Sequence, residues 1–432
     1  MCSSDLTSNF KNLDVCKVRK TYVPLPLICD GDMVPALRAE SLRNKLSRQR
    51  WCMRIVGEGG SGKTSLACQI ALWSLAPDPT KRICPDRRMI PIIIERGTGA
   101  SVLGDLEALS KLIRGQLQNI VSETESFPIW LCEALLRDRR ILVIIDGLSE
   151  LDNATGPLSL HPDFPVAALI LTSRSHKVWV EAVHVDVEPL RIDSNHLLQF
   201  MNAYLGTETE VLDDAELYEA CRQLATLVGK DRSITPLLAR LYAEQLSKGS
   251  SRTANRWELP SDVPALVLGY LNAINRDRAP SDPDNALIQE VAKITAWECC
   301  KDELHVGYAK KTAVYKALAD RGFNRDIVDY LESRLQLIHS IPPAETHIEF
   351  SLDPLAEYLA GLQLLSMMSS ETDWSLFVSR VDEVVKQRGE AGDLLKAIWD
   401  CCIHGDADAR VPDQIVNAIY VRAFSPESRL AS

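Results

Sequence analysis

The chain has 432 residues, more than a single compact core organises, so two to four domains are expected. Its 46% hydrophobic and 25% charged residues are ordinary globular values, and its net charge of -11 leans against non-specific binding to nucleic acid or to an anionic membrane.

Residues 1–45 read as a lead-in. The first twenty are polar and carry no apolar core of a secretory signal, and residues 21–27 are held extended by Pro24 and Pro26. Residues 46–190 alternate short apolar runs with helical stretches. The runs are 52–56, 89–94, 141–145, 167–172 and 183–187, and they are rich in Ile, Val and Leu. Continuous runs of that length suit strands covered on both faces, and strand–helix alternation implies a parallel sheet with crossover helices. Residues 191–255 turn helical, with Leu197, Leu198, Met201 and Leu205 at helical spacing and a polar stretch at 247–255. Further helices are expected at 263–273, 286–300, 311–318 and 325–337. A hairpin around Pro342 and Pro343 follows, and then an apolar helix over 355–368. Helices followed by a hairpin suggest a winged-helix domain over 256–368, and 369–432 reads as a helical tail. The longest apolar runs fall far short of the ~20 residues that span a bilayer. The cysteines lack C-x-x-C spacing, so they read as reduced, mostly buried thiols of a cytoplasmic protein.

Three segments carry chemistry. Gly57, Glu58, Gly59, Gly60, Ser61, Gly62, Lys63 and Thr64 have the spacing of a phosphate-binding loop, and Ser65 opens the helix beside it. The glycines let backbone N–H groups turn inward toward phosphate oxygens. Lys63 supplies a cation to the outer phosphates, Thr64 offers a hydroxyl to Mg²⁺, and the helix aims its positive dipole end at the same anion. The motif follows an apolar strand and opens a helix, which is the context it requires. The run 141–145 ends in Asp146, an acid at the tip of a neighbouring strand that can hold Mg²⁺; the competing reading is a turn acid in an Asp-Gly pair. Glu150 can orient or deprotonate a water, or be a solvated acid at a helix start. The run 168–172 leads through Ser173 to Arg174, which can meet the γ-phosphate or be a surface arginine.

In this order the segments resemble the NACHT group of the signal-transduction ATPases with numerous domains (STAND), relatives of the AAA+ ATPases. Asp146 is followed by the small Gly147, as in that group. Helicases and most AAA+ motors carry an acid there. Thr235-Pro236-Leu237-Leu238 resembles the segment whose proline packs on adenine, and residues 350–360, with Glu357 and Tyr358, resemble the winged-helix signature. Two positions depart from the pattern. Ser149 replaces one of two acids and leaves Glu150, which implies slow hydrolysis. Leu352 stands where many relatives place a histidine against the ADP β-phosphate, and the nearby His347 reads as structural.

The resemblance implies an α/β P-loop NTPase (a parallel sheet with flanking helices), followed by a helical domain and a winged-helix domain. It further implies an ATP/ADP-binding signalling switch that uses Mg²⁺, hydrolyses slowly and self-associates on activation, with innate-immune or anti-phage defence as context. Effector and sensor roles would fall to other chain regions or partner proteins. Neither a membrane nor a nucleic acid is expected as partner. The alternatives are a motor-like ATPase with steady turnover and a winged-helix DNA-binding regulator. Residues 301–336 mix acids (Asp302, Glu303, Asp320) with bases (Lys301, Lys310, Lys311, Arg321), so no basic recognition face is evident.

Overall fold

The computed structural model describes residues 3–17, 19, 21–46, 50–94, 105–121, 127–147, 166–174, 184–206, 213–228, 234–248, 260–341, 346–388, 392–404 and 411–424. The chain divides into two units, Met1–Ile192 and Asp193–Ser432.

The first unit is built on a seven-stranded sheet. In chain order its strands are β1 (Leu27–Cys29), β2 (Asp32–Val34), β3 (Trp51–Val56), β4 (Ile90–Ile94), β5 (Ile141–Ile145), β6 (Ala168–Ser173) and β7 (His184–Pro189). Their spatial order is β2-β1-β7-β3-β6-β5-β4. Strands β7, β3, β6, β5 and β4 run parallel, whereas β1 pairs antiparallel with both β7 and β2. The sheet is therefore mixed rather than purely parallel. The two extra strands come from the lead-in, where three-residue strands beside prolines leave too short a pattern to read.

Both faces of the sheet are covered, and the alternation of side chains along each strand divides the core in two. Met53, Ile55, Leu142, Ile144 and Ile170 pack with Leu66, Ile70 and Leu75 of α4 (Lys63–Leu75). The alternate residues Cys52, Val143, Ile145, Leu169 and Leu171 pack on the other face with Leu109, Ile113, Leu117 and Ile120 of α5 (Leu106–Val121). That i, i+4, i+8, i+11 spacing is one stripe of a helix. The lead-in also joins the first core: Phe10 of α1 (Ser3–Lys11), Val15 of α2 (Asp14–Lys17) and Leu42 of α3 (Ala39–Arg43) are buried there. A short α6 (Ile129–Arg137) precedes β5. A mostly parallel sheet with helices on both faces fits an α/β P-loop NTPase.

The second unit begins with α7 (Ser194–Leu205), α8 (Asp214–Val228) and α9 (Pro236–Lys248). Next come α10 (Val263–Ile274) and α11 (Asn285–Cys300), then β8 (Tyr308–Lys310), α12 (Lys311–Ala319) and α13 (Asp326–Asp329). Residues Tyr330–Arg334 form a π-helical turn. Strands β9 (Ile338–Ser340) and β10 (His347–Phe350) complete an antiparallel sheet in the order β8-β10-β9. The helix expected to reach residue 337 stops earlier, because Gln336 adopts a left-handed φ of 53°. Helices α14 (Asp353–Met367), α15 (Glu371–Arg388), α16 (Gly392–His404) and α17 (Asp413–Phe424) follow. Leu355, Ala356, Leu359 and Ala360 of α14 share one core with Ile288, Val291 and Ala292 of α11, all almost fully buried. No helix among the described residues is long and apolar enough to cross a membrane.

Candidate phosphate-binding site

The site forms at the carboxyl ends of the parallel strands, where open α/β sheets place their ligand crevices. Strand β3 ends at Val56 and the chain turns through residues 57–62 into α4. Gly60 and Gly62 take φ of 75° and 94°, values that disfavour any side chain. A Cβ on Gly57 would lie 2.9 Å from the Ser61 hydroxyl oxygen. That hydroxyl is buried and finds no hydrogen-bond partner among the described residues. Gly62 caps α4 without a side-chain hydrogen bond, and the first turn holds no acid. The N–H groups of that turn have no acceptor within the helix, so the positive end of its dipole faces the loop.

Lys63 bends back over this loop. Its Nζ donates to the carbonyl oxygens of Gly57 and Glu58, each at 2.7 Å, which draws the ammonium into the concave side. Beside it, the Thr64 hydroxyl contacts both carboxylate oxygens of Asp146 at 2.9 Å. These two residues lie on separate elements far apart in sequence. Asp146 is held from the other side as well. Its backbone N–H donates to the Ile94 carbonyl at 2.9 Å, and the Thr172 hydroxyl donates to its Oδ1 at 2.5 Å. Thr172 in turn accepts from the Gly147 N–H at 2.8 Å.

The strand order explains this clamp. Asp146 was expected at the tip of a strand neighbouring the phosphate-loop strand, but β6 lies between β3 and β5. Apolar runs reveal strands and not their lateral order. Register pairs Ile145 with Leu171 and Val56 with Ser173, so Asp146 comes level with Thr172 at the strand ends. The Gly57 N–H donates to the Ser173 carbonyl at 3.1 Å, which fastens the start of the loop to the end of β6.

The other candidate residues fall as follows. Ser65 lies in the first turn of α4. Glu58 forms a two-pronged ion pair with Arg191, just after β7. Arg174 is half-buried and directly follows β6. Ser149 and Glu150 lie outside the described residues. Pro236 opens α9 in the second unit, where the preceding Thr235 hydroxyl accepts from the Leu238 N–H at 3.3 Å. In the same unit His347 sits on β10 with its ring edge-on to Tyr308 at 5.2 Å, and Leu352 packs on the core.

Two residues of the site were not anticipated. Thr172 was readable in principle, since it is a polar residue ending an otherwise apolar buried strand, and buried hydroxyls need partners. Arg191 left no local signal.

No protein-family profile and no curated protein sequence matches the chain. Among solved structures, it is similar to a STAND protein with a tetratricopeptide repeat sensor from Pyrococcus horikoshii. The identity is 13%, the TM-score is 0.34, and the match covers 90% of this chain and 50% of that one. It is also similar to the RuvB Holliday junction branch migration motor of Thermotoga maritima, at 13% identity and a TM-score of 0.29, over 72% of this chain and 92% of that one. The chain thus spans about half the length of the STAND protein.

Proposed function

We propose that this chain is an ATP/ADP-binding signalling switch of the NACHT type, with slow Mg²⁺-dependent hydrolysis and nucleotide-controlled self-association. The observation that carries the nucleotide reading is the meeting of Thr64 with Asp146 beside the Lys63 ammonium, at the mouth of a glycine loop that opens an uncapped helix. The donor set suits a polyphosphate: backbone N–H groups of 59–65, one ammonium, and hydroxyls at Ser61 and Thr64. Thr64 and Asp146 would hold Mg²⁺. One hydroxyl and one carboxylate match an ion that keeps waters and shares phosphate oxygens rather than sitting in an all-protein cage. When bound, Mg²⁺ neutralises phosphate charge. Arg174 would meet the γ-phosphate, Glu150 would orient water, and Pro236 would pack on the base; these three roles rest on the sequence resemblance.

The switch reading follows from the same resemblance, with Gly147 after the acid and Ser149 in place of a second one. The order of α10 to β10 supports a winged-helix reading of the second unit, in which α14 serves packing. Defence, effector and sensor roles are carried over from the resemblance alone. Activation is then a two-state equilibrium that γ-phosphate contacts bias.

The test is binding of fluorescent ATP and ADP by wild type and Lys63→Ala. A loss of at least about 100-fold, near 2.7 kcal/mol, is expected for the variant, because the phosphates lose a charge-assisted donor. Unchanged affinity in a folded variant would sink the reading. Unstimulated turnover well above roughly one per minute would count against a switch and for a motor.

A further inference from the structure

Two thiols far apart in sequence meet behind the phosphate loop. Cys16 lies on α2 and Cys68 on α4, with their sulfurs 3.7 Å apart. Neither sulfur is in a disulfide; Cys68 is buried and Cys16 half-buried. The approach belongs to a built interface, because Phe10 and Val15 of the N-terminal segment share one core with Leu66, Ala67 and Ile70 of α4. Cys68 also stands four residues after Thr64, on the same face of the helix that presents the Thr64 hydroxyl to Asp146. A disulfide would require the sulfurs to close by about 1.7 Å, a movement open to the short helix α2 while Cys68 stays within α4.

We propose that Cys16 and Cys68 form an oxidative modification site that closes to an intramolecular disulfide with peroxide, fastening the N-terminal segment to the phosphate-binding helix. Cys16, the more exposed sulfur, attacks one peroxide oxygen. The O–O bond breaks, the departing hydroxide takes the thiol proton as water, and Cys16 becomes a sulfenic acid. The Cys68 sulfur then attacks the Cys16 sulfur. The S–O bond breaks, and the hydroxyl leaves with the Cys68 proton as a second water. The two thiols lose two electrons and the peroxide gains them. The Cys68 thiol is held well above its ordinary range, by its hydrogen bond with Cys16 and by burial, while Arg19 pulls it down. A protonated thiol is a slow nucleophile, so the resolving attack by Cys68 relies on its 3.7 Å approach to the Cys16 sulfur. The effect on nucleotide rests on the reading above: a fastened α4 releases ADP more slowly.

The full chain, reduced and then treated with hydrogen peroxide, is mapped by tryptic mass spectrometry. Joined Cys16 and Cys68 peptides are expected, separable by added thiol. The thermal midpoint should rise on the order of 10 °C, because the bond closes a long loop. Release of fluorescent ADP should slow several-fold, and Cys16→Ser should show none of these changes. The mapping uses wild-type protein, so it does not depend on a variant that folds. Oxidation of the half-buried Cys84 with the two peptides still unlinked, or Cys16 ending as a sulfinic acid, would overturn the proposal. A link with unchanged ADP release would overturn the coupling to α4. Failure of the reduced protein to bind ADP would count against the nucleotide reading alone, and the mapping would still decide the thiol pair.

Discussion

Replacing Thr172 by valine isolates the clamp on Asp146. Valine nearly matches threonine in volume and suits a strand, so no cavity forms at this almost fully buried position. What disappears is one hydroxyl with two bonds: the donation to Asp146 Oδ1 at 2.5 Å and the acceptance from Gly147 N–H at 2.8 Å. A bond to a charged group contributes about 1.5–3 kcal/mol and a neutral one about 0.5–1.5 kcal/mol. Asp146 keeps its contacts with Thr64, so part of its charge stays solvated by the protein. The net loss should be about 2–3 kcal/mol, which lowers the melting temperature of the first unit by roughly 4–12 °C. In a nucleotide titration, a misplaced Asp146 should weaken Mg²⁺-ATP about tenfold and leave ADP without Mg²⁺ within about twofold. Thr172→Ser keeps the hydroxyl and should restore the Mg²⁺-ATP affinity. Scanning calorimetry and the titration on all three proteins decide it. A Thr172→Val protein with unchanged melting temperature and unchanged Mg²⁺-ATP affinity would refute the clamp.

Asp146→Asn should spare ADP binding and weaken Mg²⁺-ATP, since a neutral amide accepts from Thr64 but attracts a cation poorly; equal loss of both in an isothermal titration would contradict a metal role. In the second unit Glu244 is buried and takes bonds from Arg240 at 2.7 Å and Tyr204 at 2.8 Å. Arg240→Ala should cost about 3–5 kcal/mol by leaving that carboxylate without its cation, and Arg240→Ala with Glu244→Gln should cost less than the single change by denaturant unfolding. The Arg422 guanidinium holds the Asp382 carboxyl below its ordinary value. A depressed carboxyl contributes its full stability above its ordinary pKa and loses it as pH falls through the lowered folded-state value. Because Asp382 is half exposed, Asp382→Asn should cost only about 0.2–1 kcal/mol at pH 7, and melting curves of variant and wild type should converge once pH falls below the depressed carboxyl's range.

The parts of the fold that were legible are those whose signal is local. Strand β5 is buried at every position and β6 likewise, so unbroken apolar runs announced them. Lys63 and Thr64 were fixed by spacing within one loop, and Asp146 by its place at the end of β5. What stayed hidden depends on partners distant in sequence. Strand β1 is three residues long and exists because Leu27 to Cys29 align with β7. Phe10 and Val15 sit in a polar-looking segment and are buried because they join a core shared with α4 and the sheet. Thr172 matters because β6 falls between β3 and β5, and no composition or period encodes that order.

The same lateral order decides how the site's groups share Asp146. An ionised carboxylate offers about four lone-pair sites. Thr64 touches both oxygens and Thr172 takes a further place on Oδ1, so Oδ2 retains room to accept, for instance from an ion's water. A threonine hydroxyl has one proton and two lone pairs, so Thr64 can keep donating to Asp146 while its own oxygen faces a cation. Lys63 is different. Its bonds to the Gly57 and Glu58 carbonyls must be shared with any phosphate that enters, and Glu58 is itself tied to Arg191 at the end of β7. On the proposed nucleotide reading, phosphate affinity depends on the loop's own hold on its lysine, and through Glu58 on Arg191 just after β7.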